Sequence, residues 1–292
     1  MQTILSGHAA LGTAWWLEAS LPEEHNRLPT LTKKIIALIT DYEKRYSRFR
    51  NDSLVTRLNT ERHLENPDPE LIAILTYGKK LYERTEGLFN LLVGEIMEAR
   101  GYDAHYRFTP KDEPATPPNP FSVLIINENE IRLDAGRIDL GGFGKGYLID
   151  LLAEQLRGEG IQEFLINGGG DIYASHEDNN PMPIYLEHPT EAHTYLGTTP
   201  LKHAGFAASS PFKRRWNHNG KEYTHIVGNN TDQLATFVTA KTARDADAFA
   251  TAAMFWSKDE LLTKADKEGI GVARFNPTTN EFTSHNFLFE PI

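Results

Sequence analysis

Arg137-Ile-Asp-Leu-Gly-Gly-Phe-Gly-Lys-Gly-Tyr-Leu-Ile-Asp150 is the stretch around which the chain is organised. Its order predicts a short strand, a turn rich in glycine with one lysine, and an amphipathic helix to about Arg157. Gly141, Gly142, Gly144 and Gly146 allow backbone angles closed to other residues and a close approach to a ligand. The turn runs into a helix N-terminus, where N–H groups and the dipole favour an anion. Lys145 adds a mobile positive charge there. A phosphate cradle and a plain strand–helix connection with an exposed lysine both fit. Two familiar cradles do not: a dinucleotide fingerprint needs glycine where Tyr147 stands, and a P-loop needs Ser or Thr where Gly146 stands.

The 292 residues are enough for one large domain or two modest ones with a sizeable core. Apolar residues make up 40% and charged residues 24%, as in a soluble globular protein. A net charge of −10 argues against a general nucleic-acid binder or a protein of anionic membrane surfaces. Cysteine is absent, which excludes disulfides, thiolate metal sites and lipid-modified cysteine. Met1 to Trp16 has no Lys or Arg and only scattered apolar residues, unlike a signal peptide, so a cytoplasmic location is expected. A removed leader would leave a periplasmic location open. No run approaches the ~20 apolar residues of a membrane span.

Outward from the central stretch, residues 3–20 read as strand broken at Gly7 and Gly12. Leu31, Ile35, Leu38, Ile39, Tyr42 and Tyr46 are spaced for an amphipathic helix. Ser47 to Asn59 reads as a loop or capped turn. A second helix opens after Pro69 and stops near Gly87, with helix expected again over 88–100. Pro110, Pro114, Pro117, Pro118 and Pro120 mark an extended surface loop. Phe121–Ile126 and Glu130–Leu133 read as a hairpin across Asn127 to Asn129. Strands are expected at Phe164–Ile166, Pro183–Glu187, Ala204–Ser209, Lys221–Val227 and Leu234–Thr239. Helices follow at Ala243–Trp256 and about 259–267, then a terminal strand pair. Helices dominate early and strands late, which points to an α+β fold.

Asp247 and Thr251 stand four apart on one helix face, among alanines that let a ligand come close. A carboxylate and a hydroxyl suit Mg²⁺ or Ca²⁺. A solvated Asp247 and a Thr251 bonded back to its own helix are the plainer reading of the pair alone. His225 lies on an alternating strand, where a histidine is most often structural; facing a phosphate site, its residue type would suit a general base. Gly168-Gly-Gly-Asp171 reads as a tight turn, with Asp171 in a supporting role beside any site. Lys213-Arg-Arg-Trp216 reads as a solvated face.

Asp139-Leu-Gly-Gly-Phe-Gly-Lys-Gly146, Asn167-Gly-Gly-Gly-Asp-Ile172, Thr224-His-Ile-Val227 and Ala246-Asp-Ala-Phe-Ala-Thr251 resemble, in order and spacing, the motifs of the FAD:protein FMN transferases of ApbE type. Leu11-Gly-Thr-Ala-Trp15, Ser47-Arg-Phe-Arg-Asn-Asp-Ser53 with Leu58-Asn59, and Glu86-Gly-Leu-Phe-Asn90 extend the likeness over nearly the whole chain. The resemblance implies one ApbE-like domain over 1–292, helix-rich then strand-rich, with lobes over 1–108 and 121–292 about the proline-rich loop as a candidate subdivision. It implies metal-dependent transfer of FMN from FAD to a Thr or Ser side chain of an acceptor protein, with release of AMP. By that likeness the carbonyl of Gly142, with Asp247 and Thr251, would hold Mg²⁺ or Ca²⁺. Leu11, Phe49, Leu88, Phe89, Asn90, Asp139, Lys145 and Ile226 would contact FAD, and His225 and Lys145 would serve catalysis. The chain departs from the family pattern at Gly228, where an Asp is usual, in Gly228-Asn-Asn-Thr-Asp232. It also departs at Ser209-Ser-Pro211 and Phe89-Asn-Leu-Leu-Val-Gly94. An FAD pyrophosphatase yielding FMN and AMP, and a non-catalytic FAD-binding protein, are the alternatives.

Overall fold

The chain opens on a hairpin: β1 (Gln2–Ala10) pairs antiparallel with β2 (Thr13–Ala19). Leu11 and Gly12 between them both take positive φ, 51° and 70°, as a two-residue turn matched to strand twist requires. Gly7 does not end the strand; its φ of 68° sits where the register shifts between Leu5 and His8, so it forms a bulge. This computed structural model describes residues 1–21, 28–111, 116–176, 181–228 and 234–292. Helix α1 (Leu28–Tyr46) buries Leu31, Ile35, Ile39, Tyr42 and Tyr46, the stripe its spacing predicts.

Ser47 to Asn59 differs from expectation, because it contains helix α2 (Leu54–Glu61). Ser53 caps it by accepting from the Thr56 amide at 3.0 Å, while Val55, Leu58 and Asn59 turn inward. After β3 (His63–Glu65), α3 (Pro69–Arg84) starts where predicted, with Asp68 as its cap and Pro69 in the first turn. The helix expected over 88–100 shrinks to α4 (Gly94–Ala99). Glu86 and Gly87 sit at positive φ, and the Asn90 side chain accepts from the Leu92 amide and donates to the Pro118 carbonyl, which bends the chain away from a helix. Then come α5 (Pro120–Val123), β4 (Leu124–Ile126) and β5 (Glu130–Leu133), so only the end of Phe121–Ile126 is strand. Pro114 lies outside the described residues.

At Arg137 the expected strand is a single parallel bridge to Val93, and α6 (Gly144–Gly158) follows the glycine turn. β6 (Phe164–Gly168) and β7 (Asp171–Ser175) form a hairpin about Gly169 and Gly170, both at positive φ. Next are β8 (Met182–Glu187), β9 (Tyr195–Leu201), β10 (Ala204–Ser209), β11 (Arg215–His218), β12 (Lys221–Thr224) and β13 (Ala235–Ala240). Helix α7 (Ala243–Ala252) ends earlier than expected, in a 3-10 turn over Ala253–Phe255. Helix α8 (Lys258–Glu268) and strands β14 (Gly271–Asn276), β15 (Glu281–His285) and β16 (Glu290–Pro291) complete the chain.

These elements fall into two compact units. The first comprises Met1–Asp41, Phe143–Lys213 and Asn230–Ile292. Among the described residues it holds an eight-stranded sheet in the order β1-β2-β6-β7-β10-β13-β14-β15 and a small sheet β16-β9-β8. Every pairing in the large sheet is antiparallel, which agrees with the α+β expectation. α7 packs on α6, β10 and β13. Ile184, Leu186 and Leu201 of the small sheet join Ile172, Phe206, Phe237 and Phe275 in one hydrophobic cluster. The second unit comprises Tyr42–Gly142 and Arg214–Asn229, with the sheet β3-β5-β4 and the hairpin β11-β12. The division therefore does not follow the proline-rich stretch, which lies inside the second unit.

Candidate active site

Two glycines seat the N-terminus of α7. A Cβ on Gly146 would collide with the Ala243 carbonyl, and one on Gly205 of β10 would lie 2.6 Å from the Ala243 and Thr242 backbone. Only glycine lets α6 and β10 come this close to α7. Thr242 caps α7 by accepting from the Asp245 amide at 3.2 Å. Asp150, one turn along α6 from Gly146, accepts from the Ala243 and Arg244 amides at 2.8 and 3.2 Å. Burial pushes the Asp150 carboxyl up to about 6, against the lowering effect of those two amides and the Arg244 guanidinium.

This seating brings Lys145, Asp171 and Asp247 together. The Lys145 ammonium makes a short ion pair with Asp171 Oδ2 and lies 3.4 Å from Asp247 Oδ2. The Gly146 amide donates to the same Asp247 oxygen at 3.1 Å. One amide of the α6 first turn is thus engaged by the chain's own carboxylate, so the cradle reading of Lys145 and the glycine turn acquires an acidic partner. Asp247 is buried, not solvated, with 6% of its surface exposed. Its Oδ1 accepts no hydrogen bond, and Thr251 Oγ1 makes none, among the described residues. Thr251 therefore does not bond back to its helix. Two hard oxygens remain on one face, a fit to Mg²⁺ or Ca²⁺ with neutral oxygens as further ligands. No group of three or more His, Cys, Asp or Glu side chains gathers for a metal among the described residues. Leu11 sits in the β1–β2 turn of the same unit.

In the second unit, Asp139 is held by Arg48 through a 2.6 Å ion pair, with the two side chains 11% and 5% exposed. Asp139 Oδ1 accepts from the Gly141 amide at 2.6 Å, which closes the glycine turn. A Cβ on Gly142 would fall 2.7 Å from the Phe89 ring, so these two expected site residues touch. Asn90 is fixed by Leu92 and Pro118, Leu88 is half-buried beside them, and Phe49 lies 4.2 Å beneath the Arg48 guanidinium and stacks on Tyr106. Arg48 was not foreseen as a site residue; its tie to Asp139 spans 91 positions, so no local pattern signals it.

His225 follows β12 instead of lying within it. Its Nδ1 is 3.2 Å from the Arg214 carbonyl, which can only accept, so Nδ1 donates this hydrogen bond. Arg100 donates to the carbonyl of Ile226 at 2.8 Å and steadies the segment, a second contribution that sequence reading missed. Gly228 is described; Asn229 to Asp232 of the departing motif lie outside the described residues.

The family model of the ApbE family matches residues 11–273. This chain belongs to the ApbE family. The FAD:protein FMN transferase of Haemophilus influenzae is 24% identical to it over 282 residues, covering 86% of this chain and 80% of the relative. The apo flavinyl transferase ApbE of Pseudomonas stutzeri superposes with a TM-score of 0.78 at 19% identity, over 95% of this chain and 92% of that one. The ApbE protein of Thermotoga maritima gives 0.82 at 18% identity, over 96% of each chain. These structures share the fold of the ApbE chain described here.

Proposed function

We propose that this ApbE-family chain is a flavin transferase that moves FMN from FAD to a Thr or Ser hydroxyl of an acceptor protein and releases AMP. The observation that carries the reading is the Lys145–Asp171–Asp247 constellation with the unengaged oxygens of Asp247 and Thr251. The names of the relatives point the same way. In the reaction the hydroxyl oxygen bonds to the FMN phosphorus and the pyrophosphate bond to AMP breaks. The hydroxyl proton goes to a base, the role proposed for His225, whose ring is oriented by the Arg214 carbonyl. Lys145 would bind the phosphates and offset charge on the leaving AMP. Asp247 and Thr251 would hold a divalent cation, Mg²⁺ or Ca²⁺, which when bound neutralises pyrophosphate charge. Phe49 and Phe89 would lie beside the flavin, Phe89 as a buried ring and Phe49 from its stack on Tyr106.

Incubation with FAD and Mg²⁺, with and without a flavin-acceptor domain, tests this by scoring AMP, free FMN and covalent flavin. Covalent flavin that appears only with acceptor, together with AMP, is expected. AMP and free FMN in equal amounts regardless of acceptor would make the protein an FAD pyrophosphatase. FAD binding without products would make it a binding protein.

A further inference from the structure

We propose that Asp171 is a positioning residue that draws the Lys145 ammonium away from Asp247, so that Asp247 keeps an oxygen for a divalent cation. The inference rests on the metal reading of Asp247 and Thr251 given above. Asp171 is the first residue of β7, paired with Gly168 across the β6–β7 hairpin, and its side chain is only 6% exposed. Its backbone is therefore fixed, and its carboxylate stays where the sheet puts it. Lys145 has a long stem and three rotatable donors, so nearby anions decide where its charge sits. Its ammonium contacts Asp171 more closely than Asp247, which is 3.4 Å away and already accepts from Gly146.

The charges explain why the arrangement matters. An ammonium resting fully on Asp247 would cancel the one carboxylate that attracts a cation to this face. With Asp171 present, Lys145 has an anion of its own and Asp247 retains most of its charge. Without the Asp171 charge, Lys145 shifts toward Asp247, 3.4 Å away, and the lysine competes with the metal.

Mn²⁺ binding by the full chain, read from the EPR signal of the free ion with and without FAD, tests the proposal. From the usual size of coupling between contacting charges, Asp171→Asn should weaken Mn²⁺ binding about ten-fold, and adding Lys145→Met to it should restore most of the loss. Asp171→Glu, which keeps the charge, should stay within about three-fold of the parent. Thermal melting and far-UV circular dichroism report the fold of each variant; if Asp171→Asn melts early, Asp171→Ser removes the same charge. Unchanged Mn²⁺ affinity in Asp171→Asn, or no recovery on adding Lys145→Met, overturns the role of Asp171. Asp247→Asn separates the two claims. If it too retains Mn²⁺, the metal reading fails and the inference falls with it; if it alone loses Mn²⁺, only the Asp171 inference fails.

Discussion

The Gly146 amide donates to Asp247 Oδ2 at 3.1 Å, so the first turn of α6, which has no side-chain cap of its own, is closed by a carboxylate from α7. A helix N-terminus stabilises a negative charge, and here the charge it meets belongs to the residue expected to hold a metal. Fold and site are therefore built from one contact.

That contact depends on the missing Cβ at position 146. Gly146→Ala would drive a methyl into the Ala243 carbonyl and part α6 from α7. Overpacking of this kind costs roughly 1–3 kcal/mol, which urea denaturation will report as a lower midpoint. FMN transfer should fall further than stability, because Lys145 and Asp247 separate.

Asp150 makes the α6–α7 junction sensitive to pH. Its carboxyl is raised from 3.8 to about 6, so folding favours the protonated form. The stabilising contribution is full below about pH 4 and is lost as pH rises through 6. A shift of that size corresponds to roughly 3 kcal/mol. Asp150→Asn keeps one acceptor for the α7 amides and cannot ionise. Urea midpoints from pH 4 to 7 should show Asp150→Asn gaining on the parent as pH rises; parallel curves would contradict the assignment.

Arg48 and Asp139 form an enclosed ion pair beside the glycine turn in the second unit. Removing one partner of a buried pair strands the other, at a typical cost of about 3–5 kcal/mol. Arg48→Met should therefore lower the melting temperature more than Arg50→Met, whose ion pair with Asp52 is exposed. Calorimetry of the two variants checks this.

His225→Ala should slow single-turnover AMP release by about 10²–10⁴-fold, the usual contribution of a positioned base, with FAD affinity retained. Lys145→Ala should do the reverse in part, weakening FAD binding in a fluorescence titration as well as slowing release. An unchanged rate in His225→Ala would assign the proton to another group.

The parts of the fold that local chemistry dictates were readable. Asp68 and Pro69 announce α3, and the stripe from Leu31 to Tyr46 announces α1. Where burial covers few positions, the signal is lost: α2 turns only Val55, Leu58 and Asn59 inward within a polar stretch. Strand β9 carries Gly197 and Pro200, residues that weaken a strand reading, yet both pair with β8 partners or neighbours in the small sheet. At the candidate site, spacing places Asp247 and Thr251 on one face of α7 and Lys145 in the first turn of α6, but the approach of Lys145 to Asp247 joins two helices and is not readable locally. Asp171 was read as part of a turn because three glycines precede it, although the turn ends before it and β7 buries it. Arg48 and Arg100 act on residues far along the chain, on Asp139 and Ile226, and only the folded structure brings those pairs together.

The central claim is that Asp247 anchors the phosphate-transfer chemistry. Intact-mass analysis tests it most directly: an acceptor domain with a Thr or Ser site is incubated with FAD, Mg²⁺ and either the parent or Asp247→Ala, and AMP is measured alongside. The account predicts an acceptor heavier by one FMN phosphoester with one AMP released for the parent, and neither product for Asp247→Ala, which still folds. Full modification by Asp247→Ala at limiting Mg²⁺, or none by the parent under any condition that supports FAD binding, would contradict it.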